Sequence, residues 1–254
     1  MSVTSENQKL TDALEGHYRA FKDSARLPRN LSRRASAPLL VHPHHRWESS
    51  KIKLLVVGQE TLRWQYEPEC SGAGGETIKS FSDFCRAADG VAAMRSLYRI
   101  YALGRQYPKM NSPFWRGFRA LDAALNPEVD SALWTNVFKV NVSGSVLKNC
   151  TRAEIAKLQR AQRGLLRQEV AVLKPEVVVF FTGPRYDSAI SAEFPDVEFR
   201  QFGGSQEPNI PLSHLSLLRS SGLPFKTVRS YHPEYLQRSR RLGLISVIAQ
   251  WARS

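Results

Sequence analysis

A chain of 254 residues, 42% of them hydrophobic, is long enough to bury a substantial core without metals or disulfides, and this composition argues against wholesale disorder. Its charge is unusual, because 36 Lys and Arg against 23 Asp and Glu give a formal net charge of +13, which favours a polyanionic partner. Three scattered cysteines exclude a four-cysteine iron–sulfur cluster and argue against a disulfide framework.

Hydrophobic periodicity predicts alternating helices and strands along the chain. In chain order we predict a helix over 4–24, a basic surface connector over 26–50, a strand over 54–57, and helices over 77–104 and 112–125. A strand over 133–140 and a helix over 151–173 follow. The last predicted elements are strands over 177–181, 197–202 and 225–230 and a helix over 234–252. This alternation predicts an α/β fold, a three-layer α/β/α sandwich whose central sheet is mostly parallel and covered on both faces.

Local signals support several of these boundaries. Residues 54–57 form a short continuous apolar run that ends at a glycine, which is typical of a buried parallel strand. Ser112, followed by a proline, supplies a cap and a first helical residue. Thr151 with Glu154 three residues later forms a capping box, so we expect a helix to begin there.

Polar residues end or follow four of the predicted strands. They are Gly58-Gln59-Glu60, Asn136, Thr182-Gly183 and Ser230-Tyr231-His232-Pro233. Ligands bind at the carboxyl ends of the strands in open α/β sheets, and parallel strands end at the same edge. We therefore expect the four groups to lie together and Glu60 to be a functional residue.

These four strand ends, in this order, resemble the motifs of the uracil-DNA glycosylase superfamily. There, a strand leads into Gly-Gln-Asp-Pro-Tyr or a relative, a second carries a base-reading asparagine, a third ends in a small turn, and a His-Pro-Ser segment precedes a loop that enters DNA. The matching segments are VGQETL at 57–62, LWTNV at 133–137, VFFTG at 179–183 and HPEYL at 232–236. The resemblance covers roughly residues 51–252. We divide the chain into an N-terminal helix and basic arm, 1–50, and a glycosylase-like α/β domain, 51–254.

The resemblance implies a monofunctional DNA glycosylase, which hydrolyses the N-glycosidic bond of a base flipped out of the stack. It implies that Glu60 stabilises the sugar cation and orients water, and that His232 stabilises the leaving base anion. Asn136 would read the Watson–Crick edge of the base, and Gln59 would line its pocket. Further base-binding candidates are Trp64, Phe81 and Leu62, and the DNA-contact candidates are Thr182, Gly183, Arg185 and Ser230, with Tyr235, Leu236 and Arg238 as a wedge.

The sequence departs from the family pattern at two positions of the first motif. Glu60 is one methylene longer than the usual aspartate, and Leu62 stands where classical uracil enzymes have a tyrosine that excludes 5-substituted pyrimidines. The glycine-rich loop at 63–75 follows directly. We therefore predict a pocket that admits a base larger than uracil, such as the bulky 5-modified cytosines of phage DNA.

Other interpretations of the same residues stay open. Glu60 can be a capping residue at a strand end, His232 a turn residue before proline, and Asn136 a satisfied amide. Trp64 and Phe81 are equally well explained as core side chains. The histidines at 42, 44 and 45 suggest a metal tract, but they lack a fourth ligand nearby, and we predict no metal and no other cofactor.

The alternative function is a non-catalytic nucleic-acid-binding module on the same fold. A nucleotide hydrolase is disfavoured because SGAGG at 71–75 lacks the Lys-Ser/Thr of a phosphate loop, and a Schiff-base lyase is disfavoured because the four motif segments lack lysine. We expect a cytoplasmic monomer that binds single- or double-stranded DNA and no membrane, because we find no signal peptide, no spanning apolar run and no basic amphipathic helix with an aromatic face.

Overall fold

The computed structural model describes residues 6–61, 64–68, 75–103, 110–127, 130–203 and 210–254. The strands among these residues are β1 (Leu54–Gly58), β2 (Leu133–Asn136), β3 (Val177–Phe181), β4 (Glu198–Gln201), β5 (Leu215–Arg219) and β6 (Lys226–Ser230). They form one sheet in the order β2-β1-β3-β6-β5-β4. Strands β2, β1, β3 and β6 are parallel, and β5 is antiparallel to both of its neighbours.

Helices flank this sheet, so the fold is the predicted three-layer α/β/α sandwich with a mostly parallel sheet. The α-helices with described bounds are α1 (Glu6–Ser24), α2 (Arg29–Arg34), α3 (His45–Ser49), α4 (Phe81–Arg86), α5 (Gly90–Leu103), α6 (Pro113–Leu125), α7 (Val146–Asn149), α8 (Arg152–Ala161), α9 (Leu165–Leu173), α10 (Asp187–Glu193), α11 (Pro233–Arg238) and α12 (Gly243–Arg253). Helix α1 packs on α9, and α12 packs on α6. None of the described helices has the length and apolarity that crossing a membrane requires.

The strand register brings the four motif ends to one edge of the sheet. Every residue of β1 and β3 is buried, as their continuous apolar runs predict for strands covered on both faces. Gly58 at the end of β1 pairs with Asn136 at the end of β2. Phe181 at the end of β3 pairs with Ser230 at the end of β6. The predicted convergence of these strand ends is therefore confirmed.

Several predicted boundaries were wrong because the chain turns inside the predicted range. The helix predicted over 151–173 is two helices, separated at Gly164, whose φ of 79° suits glycine best. The helix predicted over 234–252 is interrupted by Arg240, which has a left-handed φ of 56°. The helix predicted over 77–104 is likewise two helices, the strand predicted over 133–140 ends at residue 136, and strand β5 was not predicted.

The segment predicted as a surface connector, residues 26–50, is largely buried in its second half. Leu39 and Val41 have no exposed surface. Ser36 N donates to Asn141 O at 2.8 Å, and Asn141 N donates to Ser36 Oγ at 2.9 Å. The segment therefore packs against the chain that follows β2, and the prediction that it runs over the surface was wrong. The division of the chain at residue 50 stays a prediction.

A buried polar network ties helix α1 to the interior. Glu169 Oε2 accepts from Lys139 Nζ and, at 2.8 Å, from Thr135 Oγ1. Glu169 Oε1 accepts from Tyr18 OH at 2.9 Å, and the same hydroxyl accepts from Val41 N at 2.9 Å. All of these side chains lie in the core, so the network connects α1, the segment after α2, β2 and α9.

Candidate active site

A cleft of about 650 Å³ opens where β1, β3 and β6 end. The predicted site residues that line it are Gln59, Glu60, Thr182, Gly183, Arg185, His232, Tyr235 and Arg238. Its walls also include residues that were not predicted, among them Asn141, Ser145, Lys148, Tyr186, Tyr231 and Glu234. The cleft thus gathers residues from three of the four sequence motifs.

Glu60 is a half-buried carboxylate, and the described residues that hold it are neutral donors. Its Oε2 accepts from Val146 N at 2.7 Å and from Asn141 Nδ2 at 3.1 Å, and its Oε1 accepts from Tyr186 OH at 3.0 Å. Burial raises the pKa of Glu60, and these hydrogen bonds, together with one from Ser145, oppose that rise in pKa. The structure therefore fixes a carboxylate of raised pKa at the wall of the cleft.

His232 caps helix α11 and lies against Phe114. Its Nδ1 accepts from Glu234 N at 3.2 Å, so the neutral ring carries its proton on Nε2. Burial lowers the pKa of His232, which keeps the ring neutral at physiological pH. The ring stacks on Phe114 with centroids 5.9 Å apart. A neutral histidine with an available Nε2–H can donate to an anion that forms beside it.

The ends of β3 and β6 form the floor of the cleft. Thr182 O accepts from Gln59 Nε2 at 2.8 Å, which joins two of the motifs. Gly183 has a φ of 71°, and a Cβ atom there would lie 2.9 Å from the Tyr231 ring, so only glycine fits. Thr182 Oγ1 and Ser230 Oγ are buried and have no hydrogen-bond partner among the described residues. Ser230 is fully buried, so this conformation does not present it to a DNA phosphate, contrary to the prediction.

Asn136 lies beside Gly58 and not at the wall of the cleft. A Cβ atom on Gly58 would lie 2.4 Å from Asn136 Oδ1, so the glycine makes room for the amide. In the orientation that pairs both amide atoms, Asn136 donates to Thr135 O at 2.9 Å and accepts from Thr61 N at 3.2 Å. Neighbouring residues thus satisfy part of the amide, and both the base-reading and the structural interpretation of Asn136 stay open.

The structure does not place the predicted stacking aromatics at the cleft. Trp64 is buried against Tyr101, with ring centroids 4.9 Å apart. Phe81 is buried between Phe21 and Phe84 at about 6 Å from each. Both side chains therefore lie in the core, which agrees with the alternative interpretation of Trp64 and Phe81 as core residues and not with base stacking. Leu62 falls outside the described residues.

Phe114, in the first turn of α6, is the aromatic residue that sequence reasoning missed. A Cβ atom on Gly58 would lie 3.2 Å from its ring, and its face meets His232. It therefore lies between the first and the last motif, beside Asn136. Ser112 and Pro113 mark the start of a helix in the sequence, so the helical position of Phe114 could be predicted. The sequence does not indicate that this helix begins next to the cleft.

Only part of the predicted wedge is accessible. Tyr235 is 38% exposed and stacks on Tyr231 with centroids 4.1 Å apart, and Arg238 is exposed at the cleft. Leu236 has no exposed surface, because it is on the inner face of α11. The prediction that Leu236 inserts into DNA is therefore not supported by this conformation.

The donors that hold Glu60 were also missed. Asn141 and Ser145 lie between β2 and α7, Val146 begins α7, and Tyr186 lies just after β3. Sequence spacing does not indicate which side chains of such turns point toward a neighbouring strand end. The fixed position of Glu60 is thus visible only in three dimensions.

The three histidines of the tract differ in exposure: His44 is buried, His42 is half-buried and His45 is exposed. Burial, with Arg95 and Arg99 nearby, lowers the pKa of His42 to about 3, and burial with His45 and Arg46 nearby lowers the pKa of His44 to about 4. The described part of the chain contains no group of three or more His, Cys, Asp or Glu side chains arranged to hold a metal ion.

The chain matches no protein-family model and no curated protein. The site must therefore be interpreted from its own geometry.

Proposed function

We propose that this protein is a monofunctional DNA glycosylase that hydrolyses the N-glycosidic bond of a flipped-out pyrimidine and leaves an abasic site. The observation that carries the proposal is Glu60, a carboxylate whose pKa is raised by burial, held by neutral donors at the wall of a cleft shared with His232. Carboxylates of perturbed pKa at clefts are found preferentially at functional sites.

Glu60 suits the charge that develops on the sugar. When the C1′–N bond breaks, its electron pair leaves with the base and the sugar becomes an oxocarbenium-like cation. A carboxylate held by donors on both oxygens presents a fixed negative charge to that cation without reorganising. Water then adds to C1′, and the proton that it loses passes to a carboxylate or to the departing base.

His232 suits the charge that develops on the base. Its neutral ring, protonated on Nε2, can donate a hydrogen bond to a base oxygen as negative charge accumulates there. Phe114 stacks on this ring and so helps to fix its orientation. Glu60 thus provides a negative charge for the sugar cation, and the neutral His232 provides a hydrogen-bond donor for the base anion.

The substrate class follows from the cleft and the charge. A volume of about 650 Å³ lies within the range of roughly 300–1,000 Å³ that is usual for small-molecule sites, and it leaves room for a substituted base. Arg185, Arg238 and Lys148 line the cleft, which favours DNA phosphates. We propose a uracil-type base or a bulky 5-modified cytosine, such as phage DNA carries, as the excised group, in repair or in antiviral defence.

A non-catalytic nucleic-acid-binding module is the second candidate, and one observation favours it. Glu60 Oε2 accepts from Val146 N, the first residue of helix α7, as a structural capping group does. A carboxylate retained only for that purpose would leave DNA binding intact and catalyse nothing.

The Glu60→Gln variant separates the two candidates, because glutamine keeps an acceptor for Val146 N and loses the negative charge. Abasic-site formation would be measured on single strands and duplexes that contain uracil, mismatched thymine or bulky 5-substituted cytosines. We expect excision to fall by about 10²–10⁴-fold with DNA binding retained. Excision by the variant at the full rate, or no excision of any base by the wild-type protein, would refute the catalytic proposal.

Glu234→Gln is the matched control. Glu234 lines the same cleft and carries the same charge, but its carboxylate is exposed on α11. We expect this variant to excise at a rate close to that of the wild type. An equal loss of activity in both variants would assign the effect to the net charge of the cleft and not to Glu60.

A further inference from the structure

A second groove, of about 400 Å³, adjoins the cleft on the side of the N-terminal segment. We call it the side groove. The lining residues that matter here are Arg33, Arg34, Ser36, Lys79, Asn141 and Gly144. Asn141 and Gly144 also line the cleft, so the two depressions share a wall. A chain that enters one can continue directly into the other.

The side groove is positively charged. Arg33 and Lys79 are exposed, and none of the ion pairs among the described residues includes either of them. Arg34 is held by Glu154 at 2.9 Å and by Asn149 O at 3.0 Å. No acidic side chain is among the described residues that line the groove. Arg33 and Lys79, which have no counterion among the described residues, therefore line this depression.

Hydrogen bonds fix the walls of the side groove. Ala35, which ends α2, forms an isolated bridge with Val142, and Ser36 forms one with Ser80, the residue after Lys79. Ser36 is also joined to Asn141 by the two hydrogen bonds described above. The same Asn141 donates to Glu60. One preorganised surface is thus formed by three segments: the N-terminal segment, the chain after β2 and the turn before α4. This surface ends at Glu60.

We propose that the side groove binds the sugar–phosphate backbone of the DNA strand on one side of the excised nucleotide, with Arg33 and Lys79 contacting phosphates. This inference rests on the proposed function, since it places the target base in the adjoining cleft. Arg185 and Arg238, which line the cleft, hold the strand on the other side. The N-terminal segment, which lies outside the motif-bearing part of the chain, therefore supplies part of the DNA site.

The test is a binding titration with flanks of different length. Fluorescent single strands carry one tetrahydrofuran abasic analogue, and either the 5′ or the 3′ flank is lengthened while the other stays short. Dissociation constants are measured by fluorescence anisotropy across a range of salt concentrations. For the wild-type protein we expect lengthening of one particular flank to tighten binding, because that flank reaches the side groove.

The Arg33→Gln/Lys79→Gln variant should lose the affinity gained from that flank. We expect the slope of log K against log salt to fall by about 1 to 2, and binding of the long probe at moderate salt to weaken roughly tenfold. The matched control is Lys9→Gln/Arg200→Gln, which removes two exposed cations, on α1 and on the edge strand β4, and should preserve the dependence on flank length.

The outcomes separate this inference from the proposed function. If wild-type protein excises a base and the Arg33/Lys79 variant keeps the full gain from the long flank, the side groove proposal is wrong and the glycosylase proposal stands. An equal loss in the Lys9/Arg200 variant would also overturn it, because the effect would then be one of net charge. If the wild-type protein binds none of the probes, the side groove proposal is wrong, and the excision assay on single strands and duplexes alone decides the glycosylase proposal.

Discussion

Two glutamates, the half-buried Glu60 and the fully buried Glu169, accept similar hydrogen bonds but differ in the charge of their donors. Each accepts a hydrogen bond from a tyrosine hydroxyl, Glu60 from Tyr186 at 3.0 Å and Glu169 from Tyr18 at 2.9 Å. Each also accepts two further bonds on its other oxygen. For Glu169 one of these comes from the Lys139 ammonium, and the pair is sealed in the core. For Glu60 both donors are neutral, and the carboxylate borders the cleft.

The difference between the two sites is the counterion. A buried charge paired with an opposite charge is compensated, and removing one partner exposes the other to the full cost of burial. The half-buried Glu60 has no ion pair among the described residues and a raised pKa, so its negative charge costs stability and is available to stabilise a cation that forms next to it. The first arrangement stabilises the fold, and the second is suited to a reaction.

The largest expected effect concerns stability. Glu169→Gln leaves the Lys139 ammonium buried without a counterion, so we expect the free energy of unfolding to fall by about 3–5 kcal/mol. The corresponding Glu60→Gln change removes a charge that has no ion pair among the described residues and should leave that free energy unchanged or higher. Both would be measured by urea denaturation. Replacing both partners, in Glu169→Gln/Lys139→Met, should recover most of the loss, and a loss below about 1 kcal/mol in the single variant would contradict the comparison.

Glu193 is a buried carboxylate that differs from both Glu60 and Glu169. It forms no ion pair among the described residues, and it does not line the cleft. Its Oε2 has no hydrogen-bond partner among the described residues, and burial raises its pKa from 4.5 to about 7, against the nearby Lys139 charge and hydrogen bonds from Gly164 and Leu166. The folded state therefore binds a proton more tightly than the unfolded state. This contribution to stability is complete below about pH 4.5 and is lost as pH rises through 7.

The Glu193→Gln variant should lack that pH dependence. Unfolding free energies of wild type and variant would be compared from pH 5 to pH 8. We expect the difference to shift in favour of the variant by about 2–3 kcal/mol over this range, because each unit of pKa shift corresponds to about 1.4 kcal/mol and most of the window between 4.5 and 7 is covered. Parallel curves for the two proteins would show that Glu193 does not titrate in this range.

Much of the fold and part of the site could be predicted from the sequence. Continuous apolar runs identify β1 and β3, the capping box at Thr151 identifies the start of α8, and parallel strands place their ends together. Gln59, Glu60 and His232 were found in this way. Such residues are visible because the strand that precedes each of them, or the proline that follows, fixes its place in the sheet.

The remaining parts of the site depend on contacts between segments that are distant in sequence. Asn141 lies 81 residues from Glu60, and Tyr186 lies 126 residues from it. Phe114 reaches the site only because α6 begins next to Gly58. Val41 is joined through Tyr18 to the buried network around Lys139 and Glu169, which no local pattern reveals. Periodicity indicates which face of an element is buried, but not the partner that it meets.

The smallest expected change in stability tests the neutral donors directly. The Tyr186 hydroxyl stabilises the ionised form of Glu60 and so lowers its pKa against the effect of burial. Tyr186→Phe removes this bond at a cost of roughly 0.5–1.5 kcal/mol in unfolding free energy. Because the pKa of Glu60 then rises further, the acid limb of the pH profile of kcat/KM should move to higher pH, with activity recovered at alkaline pH.

Tyr231→Phe is the control for this prediction. Tyr231 lines the same cleft and is not among the donors to Glu60, so the acid limb of this variant should match that of the wild type. An unchanged acid limb in Tyr186→Phe would mean that Glu60 is not the group whose ionisation limits excision, and the contrast with Glu169 would lose its functional meaning.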